Sequence, residues 1–177
     1  MAAVRRAMRT FGHIQTLNTM LSRAVFCALM LLVSLPSFAQ EADPADVESI
    51  DAIMKAYYEV VSGPAGESGD YARDKTLHHP DAWIAIAGVD ADGKPYVNRL
   101  TLEEFYGENA PRTEAFWEYE LERSVQQHGN MAHVWSRYAS SREVDGEPFT
   151  TGVNTITLWN DGTRWWVMGW MFDTSAE

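Results

Sequence analysis

Residues 116–173 read FWEYELERSV QQHGNMAHVW SRYASSREVD GEPFTTGVNT ITLWNDGTRW WVMGWMFD. Four runs rich in aromatic and β-branched side chains stand out: Phe116 to Val125, Met131 to Arg142, Phe149 to Trp159 and Trp165 to Asp173. Between them lie His128-Gly129-Asn130, Asp145-Gly146 and Asp161-Gly162. Gly, Asn and Asp tolerate the positive φ of tight hairpin turns, so the stretch predicts a four-stranded antiparallel meander.

Upstream, the pattern changes to short helices. Asp43-Pro44-Ala45-Asp46 has the residues of a helix start, with Asp43 as cap and Pro44 at the first helical position. Ile50, Met54, Tyr57 and Val61 then recur at helical spacing until Gly63-Pro64. A Gly- and Ser-rich loop, 63–69, leads to a second helix over about Asp70 to Leu77. Trp83 to Ala87 predicts a strand, Asp90-Ala91-Asp92-Gly93 a turn, and Tyr96 to Arg99 a second strand. Thr101 and Glu104 have capping-box spacing and predict a third short helix through Tyr106. Helices gathered early and strands late predict an α+β fold, a curved antiparallel sheet wrapped around the N-terminal helices.

Further upstream the chain resembles a secretory signal. Arg5, Arg6, Arg9 and Arg23 precede the apolar run Ala24 to Leu35, and Ser37 and Ala39 fit the −3 and −1 positions of a cleavage site. The twelve-residue run falls short of the ~20 residues a membrane-spanning helix needs. The expectation is a signal peptide over 1–39, a short linker over 40–45 and a single domain over 46–177. Met20 is an alternative start, because it opens a signal of more ordinary length. The mature chain would be periplasmic or secreted, with no membrane attachment.

With the four signal arginines removed, ten basic side chains face 25 acidic ones, a net charge of −15. Such a surface repels phosphate backbones and anionic lipid, so nucleic acid is not an expected partner. The only cysteine, Cys27, lies in the signal, so the domain has no disulfide and no thiol chemistry. All seven Trp lie beyond residue 80, which points to an aromatic interior or cavity. No phosphate-binding glycine loop, serine-nucleophile motif or metal-ligand spacing is found, and no cofactor or metal is expected.

If the hairpins turn on two residues each, side-chain alternation defines two faces. The inner face holds Trp117, Tyr119, Leu121, Arg123 and Val125, then Val134, Ser136 and Tyr138, then Val153, Thr155, Thr157 and Trp159, then Trp166, Met168, Trp170 and Phe172. The outer face holds Glu118, Glu120 and Glu122, with an apolar patch of Trp135, Ile156, Leu158, Trp165, Val167 and Met171. Such a patch predicts a homodimer through the outer face. A β-bulge would invert any of these assignments downstream of it.

Candidate ligand contacts follow from the inner face and the helices: Tyr57, Tyr58, Trp83, Tyr119, Arg123, Ser136, Tyr138, Thr155, Trp166 and Trp170. Arg123 needs a carboxylate or an anionic ligand, because an unpaired inward charge is expensive. Ser136 and Thr155 stand beside it in this register. His79 and Asp81 are candidates for a general base at the pocket mouth, since His titrates near neutrality. Packing and capping roles stand beside each of these assignments.

The order of elements, the junction Leu77-His78-His79-Pro80-Asp81-Ala82 and the closing hairpin Asp161-Gly162-Thr163-Arg164-Trp165-Trp166-Val167 resemble the nuclear transport factor 2-like superfamily, in its SnoaL-like and lumazine-binding flavour. The resemblance covers about Val47 to Asp173. It implies a cone-shaped sheet with an internal pocket, commonly dimeric. The superfamily holds isomerases, dehydratases, cyclases and non-catalytic binders, so fold does not decide function. In its steroid-isomerase branch the resemblance implies a catalytic aspartate on the first strand, where this chain has Ile86. A dehydratase-like inward His on a late strand could only be His133, which the register turns outward. The expected function is binding of a small, partly apolar molecule in the cone. An acid–base enzyme of the same pocket, or a structural dimer with a filled cone, are the alternatives.

Overall fold

The computed structural model describes residues 41–173. The signal assigned to 1–39 lies outside the described residues. Helix α1 is a single turn, Pro44–Val47, and α2 spans Ile50–Val61. The sequence pattern reads as one helix here, but Ser49 starts α2 afresh, its hydroxyl accepting from the Ala52 N–H at 3.0 Å. Helix α3 is Tyr71–Leu77, capped by Asp70. Strands β1 (His78–Val89) and β2 (Pro95–Leu100) follow, then α4 (Leu102–Tyr106). The Thr101–Glu104 capping box is fully formed. Strands β3 (Trp117–His128), β4 (Met131–Ser141), β5 (Pro148–Asn160) and β6 (Trp165–Asp173) complete the domain.

One six-stranded sheet has the order β2-β1-β6-β5-β4-β3. It is mixed: β1 runs parallel to β6, while every other pair is antiparallel. The sheet curves without closing, and α2 lies in its concavity. Ile53, Met54, Tyr57 and Val60 of α2 pack on Val134, Ile156, Leu158, Val167 and Trp170. Truncation of a fully buried Ile or Leu in such a core costs about 2–5 kcal/mol. Helix α1 is latched to α3 by Arg73, whose Nε and Nη2 each donate to Asp46 at 2.7 Å.

Three irregularities set which side chains face the concavity. The β3–β4 hairpin turns on Gly129-Asn130 as expected, with His128 opposite Met131. It places Arg123, Val134, Ser136 and Tyr138 on the inner side. Between Glu120 and Glu122 the ladder slips past Leu121. Beyond this bulge Glu118 and Glu120 turn inward, bonding Ser140 and Ser136. The inward placement expected for Trp117 and Tyr119 is thereby corrected.

The second correction is on β5. Asp145-Gly146 does not join the strands directly. Strand β4 ends at Ser141 and β5 starts at Pro148, with a slip between Ser140 and Ser141. Ser136 consequently pairs with Asn154 rather than Thr155. That one-residue shift inverts the whole strand. Asn154, Ile156 and Leu158 are buried, and Val153, Thr155, Thr157 and Trp159 take the other face.

A third slip, at Met168 opposite Thr157 and Leu158, splits β6. Trp165 and Val167 turn inward before it, Trp170 and Phe172 after it. The outer apolar patch therefore differs from the one expected. Ile156, Leu158, Trp165 and Val167 belong to the core, while Trp135, Met131 and Trp159 are among the large apolar side chains that are exposed.

Candidate functional site

The concavity between the helices and the wide end of the sheet holds a cavity of about 250 Å³. Its walls are aromatic: Tyr57 from α2, Phe105 from α4, Phe116, Tyr138 from β4, and Trp170 and Phe172 from β6. Trp170 organises them. Its indole meets Tyr57 edge-on at 5.9 Å and Phe105 edge-on at 5.0 Å, and stacks on Phe172 at 5.9 Å. Such pairs favour one arrangement of rings over others.

Two acids enter this apolar setting. Glu118 lines the cavity beside Ser140 and Asn154, and the Ser140 hydroxyl donates to its Oε2 at 3.2 Å. Burial pushes the Glu118 carboxyl up to about 7, against the pull of the Ser140 and Asn154 hydrogen bonds. Asp74, from α3, is 3% exposed and also lines the cavity. Its Oδ2 accepts from the Tyr106 hydroxyl at 2.9 Å. Its Oδ1 has no aligned hydrogen-bond donor, although His78 Nδ1 lies 3.1 Å away.

His78 Nδ1 also stands 3.0 Å from the Asp74 carbonyl oxygen, and Nε2 accepts from the Trp170 indole N–H at 3.0 Å. Burial opposes a charge on this ring and the neighbouring Asp74 carboxylate favours it, the balance lying upward. An indole nitrogen only donates, so the Trp170 bond occupies the lone pair that a second proton would need. While that bond holds, His78 is the neutral Nδ1–H tautomer. Tyr57 and Tyr138 are pushed up by burial, so both hydroxyls stay protonated donors.

A larger, more open groove of about 510 Å³ runs between α2 and β3. It is lined by Tyr58, Tyr119 and Arg123 and shares Glu118 with the smaller cavity, while its other charges satisfy one another. Arg123 Nε lies 2.9 Å from Glu120 and Nη1 3.2 Å from Asp51, while Lys55 and Arg73 pair with Glu59. The smaller, more sheltered cavity, with a carboxyl raised by burial and a second buried acid, is the better candidate for chemistry.

Of the ten expected ligand contacts, Tyr57, Tyr138 and Trp170 line this cavity. Tyr58, Tyr119 and Arg123 line the groove. Ser136 is sealed beneath Tyr58, 2.7 Å from its hydroxyl, and donates to Glu120 at 2.5 Å. Trp83 lies on the opposite sheet face, flat against Gly169, where any Cβ would collide with the indole. Thr155 faces away too and donates to the Met171 carbonyl. Trp166 stands outside, under Arg164, and donates to Asp161 at 2.8 Å. The expected Arg123–Ser136–Thr155 cluster is therefore not assembled.

Neither His79 nor Asp81 lines the cavity. The His79 ring lies edge-on to Trp159 and Trp166, and the Asp81 side chain is 88% exposed. Ile86 packs against the core, and His133 is exposed on the outer face. The groups missed in the sequence are Glu118, Asp74 and Asn154. Glu118 is hidden there in a run of alternating acids that resembles a solvated edge. Among the described residues no three His, Cys, Asp or Glu side chains cluster as metal ligands, and no helix is long and apolar enough to cross a membrane.

No family model matches the chain, and no curated protein does. Solved structures similar to it include a nuclear transport factor 2-like protein of unknown function from Shewanella baltica, 16% identical, covering 70% of this chain and 88% of that one with a TM-score of 0.46. Another, from Methylobacillus flagellatus, is 19% identical, with 76% and 98% covered and a TM-score of 0.45. A cystatin-like protein of unknown function from Nostoc punctiforme is 12% identical, with 76% and 94% covered and a TM-score of 0.48. These are likenesses of fold and carry no activity across. Short helices before and after a β1–β2 pair, then a meander whose last strand returns parallel to β1, make this chain an α+β domain built on one curved, mixed sheet.

Proposed function

We propose that this domain binds a small, largely apolar molecule in its aromatic cavity, with Glu118 as the principal polar anchor. The observation that carries the reading is the Glu118 carboxyl set beside Ser140 and Asn154 in a cavity walled by Tyr57, Trp170 and Phe172, where burial raises it. Ligand sites commonly combine apolar walls with a few convergent polar groups. At about 250 Å³ the cavity lies below the ~300–1,000 Å³ of sites for drug-sized ligands, which favours a small guest. An open cavity of this kind also speaks against a cone filled by its own aromatic side chains. The domain acts after export, as a homodimer through the exposed Trp135, Met131 and Trp159 face.

A second reading is favoured by the same carboxyl. A group that titrates near neutrality is suited to general acid–base catalysis, and protonated Tyr57 and Tyr138 can donate to a developing oxyanion. The reaction class is proton transfer on a small carbonyl compound.

Native mass spectrometry of the protein, purified gently from its exporting host, tests the first reading. A dimer with extra mass released on denaturation supports it. A bare species that turns over carbonyl substrates, and loses that turnover in Glu118→Gln, favours the second. A bare species without turnover refutes both.

A further inference from the structure

The cavity's acids have no basic partner in its lining. Among the described residues lining it, Glu118 and Asp74 are the only carboxylic acids and none is Lys, Arg or His. His78, behind Asp74, is held neutral by the Trp170 indole on Nε2. Arg112, on the loop before β3, is engaged elsewhere, donating to the carbonyls of Val61 and Glu67. Arg123 is taken up by Glu120 and Asp51.

Two further features bear on what the cavity accepts. Asp74 is 3% exposed, and its Oδ1 is met only by His78 Nδ1, 3.1 Å away but not aligned as a hydrogen bond. A carboxylate met this weakly gains from a further charge-assisted donor on the cavity side. The walls are π faces and edges from Tyr57, Phe105, Phe116, Tyr138, Trp170 and Phe172. Aromatic walls around a desolvated cation attract it through their quadrupoles. An anionic guest would meet two carboxyls and no cation, and would be repelled.

We propose that the cavity selects a protonated amine on a small apolar body, its ammonium group donating to the Glu118 carboxylate, with Asp74 as the second acid and the rings enclosing the body. This rests on the reading of the cavity as a small-molecule site and names the chemical class it takes. Ion pairing with the guest supplies the positive charge that the cavity's own walls lack.

The test uses three probes of one shape, a single ring on a two-carbon arm: 2-phenylethylamine, 2-phenylethanol and phenylacetate. Binding to the intact protein is measured by calorimetry at about pH 8, where Glu118 is ionised. The amine is expected to bind about tenfold or more tighter than the alcohol, as a charge-assisted bond should. Phenylacetate is expected to bind weakest. In Glu118→Gln, which keeps the side chain's shape and an acceptor for Ser140, the amine should lose its advantage over the alcohol. Wild-type protein alone already discriminates the three probes, so the test survives a variant that folds poorly. Equal binding of amine and alcohol, or tightest binding of phenylacetate, overturns the amine assignment and leaves the cavity a binding site. Binding of none at millimolar concentration overturns both.

Discussion

Glu118→Gln is the most informative single perturbation of stability. In the unfolded chain this carboxyl titrates at its ordinary value of 4.5, whereas burial lifts it to about 7 in the fold. Below 4.5 both states hold the proton and there is no difference. As pH rises from there, the unfolded state releases its proton first, and folding loses stability with each unit. The loss is complete once pH has passed the folded value near 7. A separation from 4.5 to about 7, at 1.36 kcal/mol per unit, sets a ceiling of about 3 kcal/mol. Because the cavity admits some solvent to Glu118, about 1–3 kcal/mol is the working range. Glutamine cannot ionise, so the variant escapes this loss. Urea unfolding of both proteins from pH 4.5 to 8.5 measures it, since other titrating groups cancel in the difference. With m near 1–3 kcal/mol per molar for a domain of this size, the variant's midpoint should gain about 1 M on wild type across the range. A difference that stays flat with pH would show that Glu118 does not carry a raised carboxyl, and the argument for its role would go with it.

Gly169→Ala should destabilise the domain by about 1–3 kcal/mol, read as a lower Tm by circular dichroism, because the new methyl meets the Trp83 indole. Trp170→Phe removes the indole N–H from His78 Nε2 and leaves a buried nitrogen without its donor; a loss of about 1–3 kcal/mol in urea unfolding is expected, with native-like far-ultraviolet dichroism retained. Asp81→Asn alters an exposed side chain 3.7 Å from His79, so its Tm should move by less than the equivalent of about 0.5 kcal/mol, and ligand retention in native mass spectrometry should be unchanged.

The helices and turns of this domain are legible in its sequence because their signals are local. Asp70, Thr101 and Glu104 cap where their side chains reach nearby N–H groups, and Gly129-Asn130 turns a hairpin by its own backbone preference. Sheet faces are not local in this sense. The inner side of β4 was readable from the Gly129-Asn130 turn, and Val134, Ser136 and Tyr138 lie where that turn puts them. Glu118 was not, because the extra residue at Leu121 reverses the strand before it. Asn154 was lost in the same way, through the slip between Ser140 and Ser141. Bulges arise from competition between twist and packing across several strands, which no short window contains. The candidate site was half legible as a result. Its walls Tyr57 and Tyr138 follow from periodicity, while Trp170 faces inward only beyond the slip at Met168 and its acids depend on register. Asp74 could have been singled out only as an acid on the buried side of a seven-residue helix.

The parallel pairing of β1 with β6 has a consequence for how the chain is made. During synthesis β1 emerges early, finds β2 across a short turn, and then waits. Its other flank is closed only when 165–173 arrive, with His78 opposite Val167 across 88 residues of intervening sequence. Contacts between such distant parts of a chain are slow to form, because the connecting segment must first be ordered. Until then Ile84 and Trp170, two halves of one core, are held apart. The domain is thus assembled late and as a unit, and damage to its last strand falls on its first.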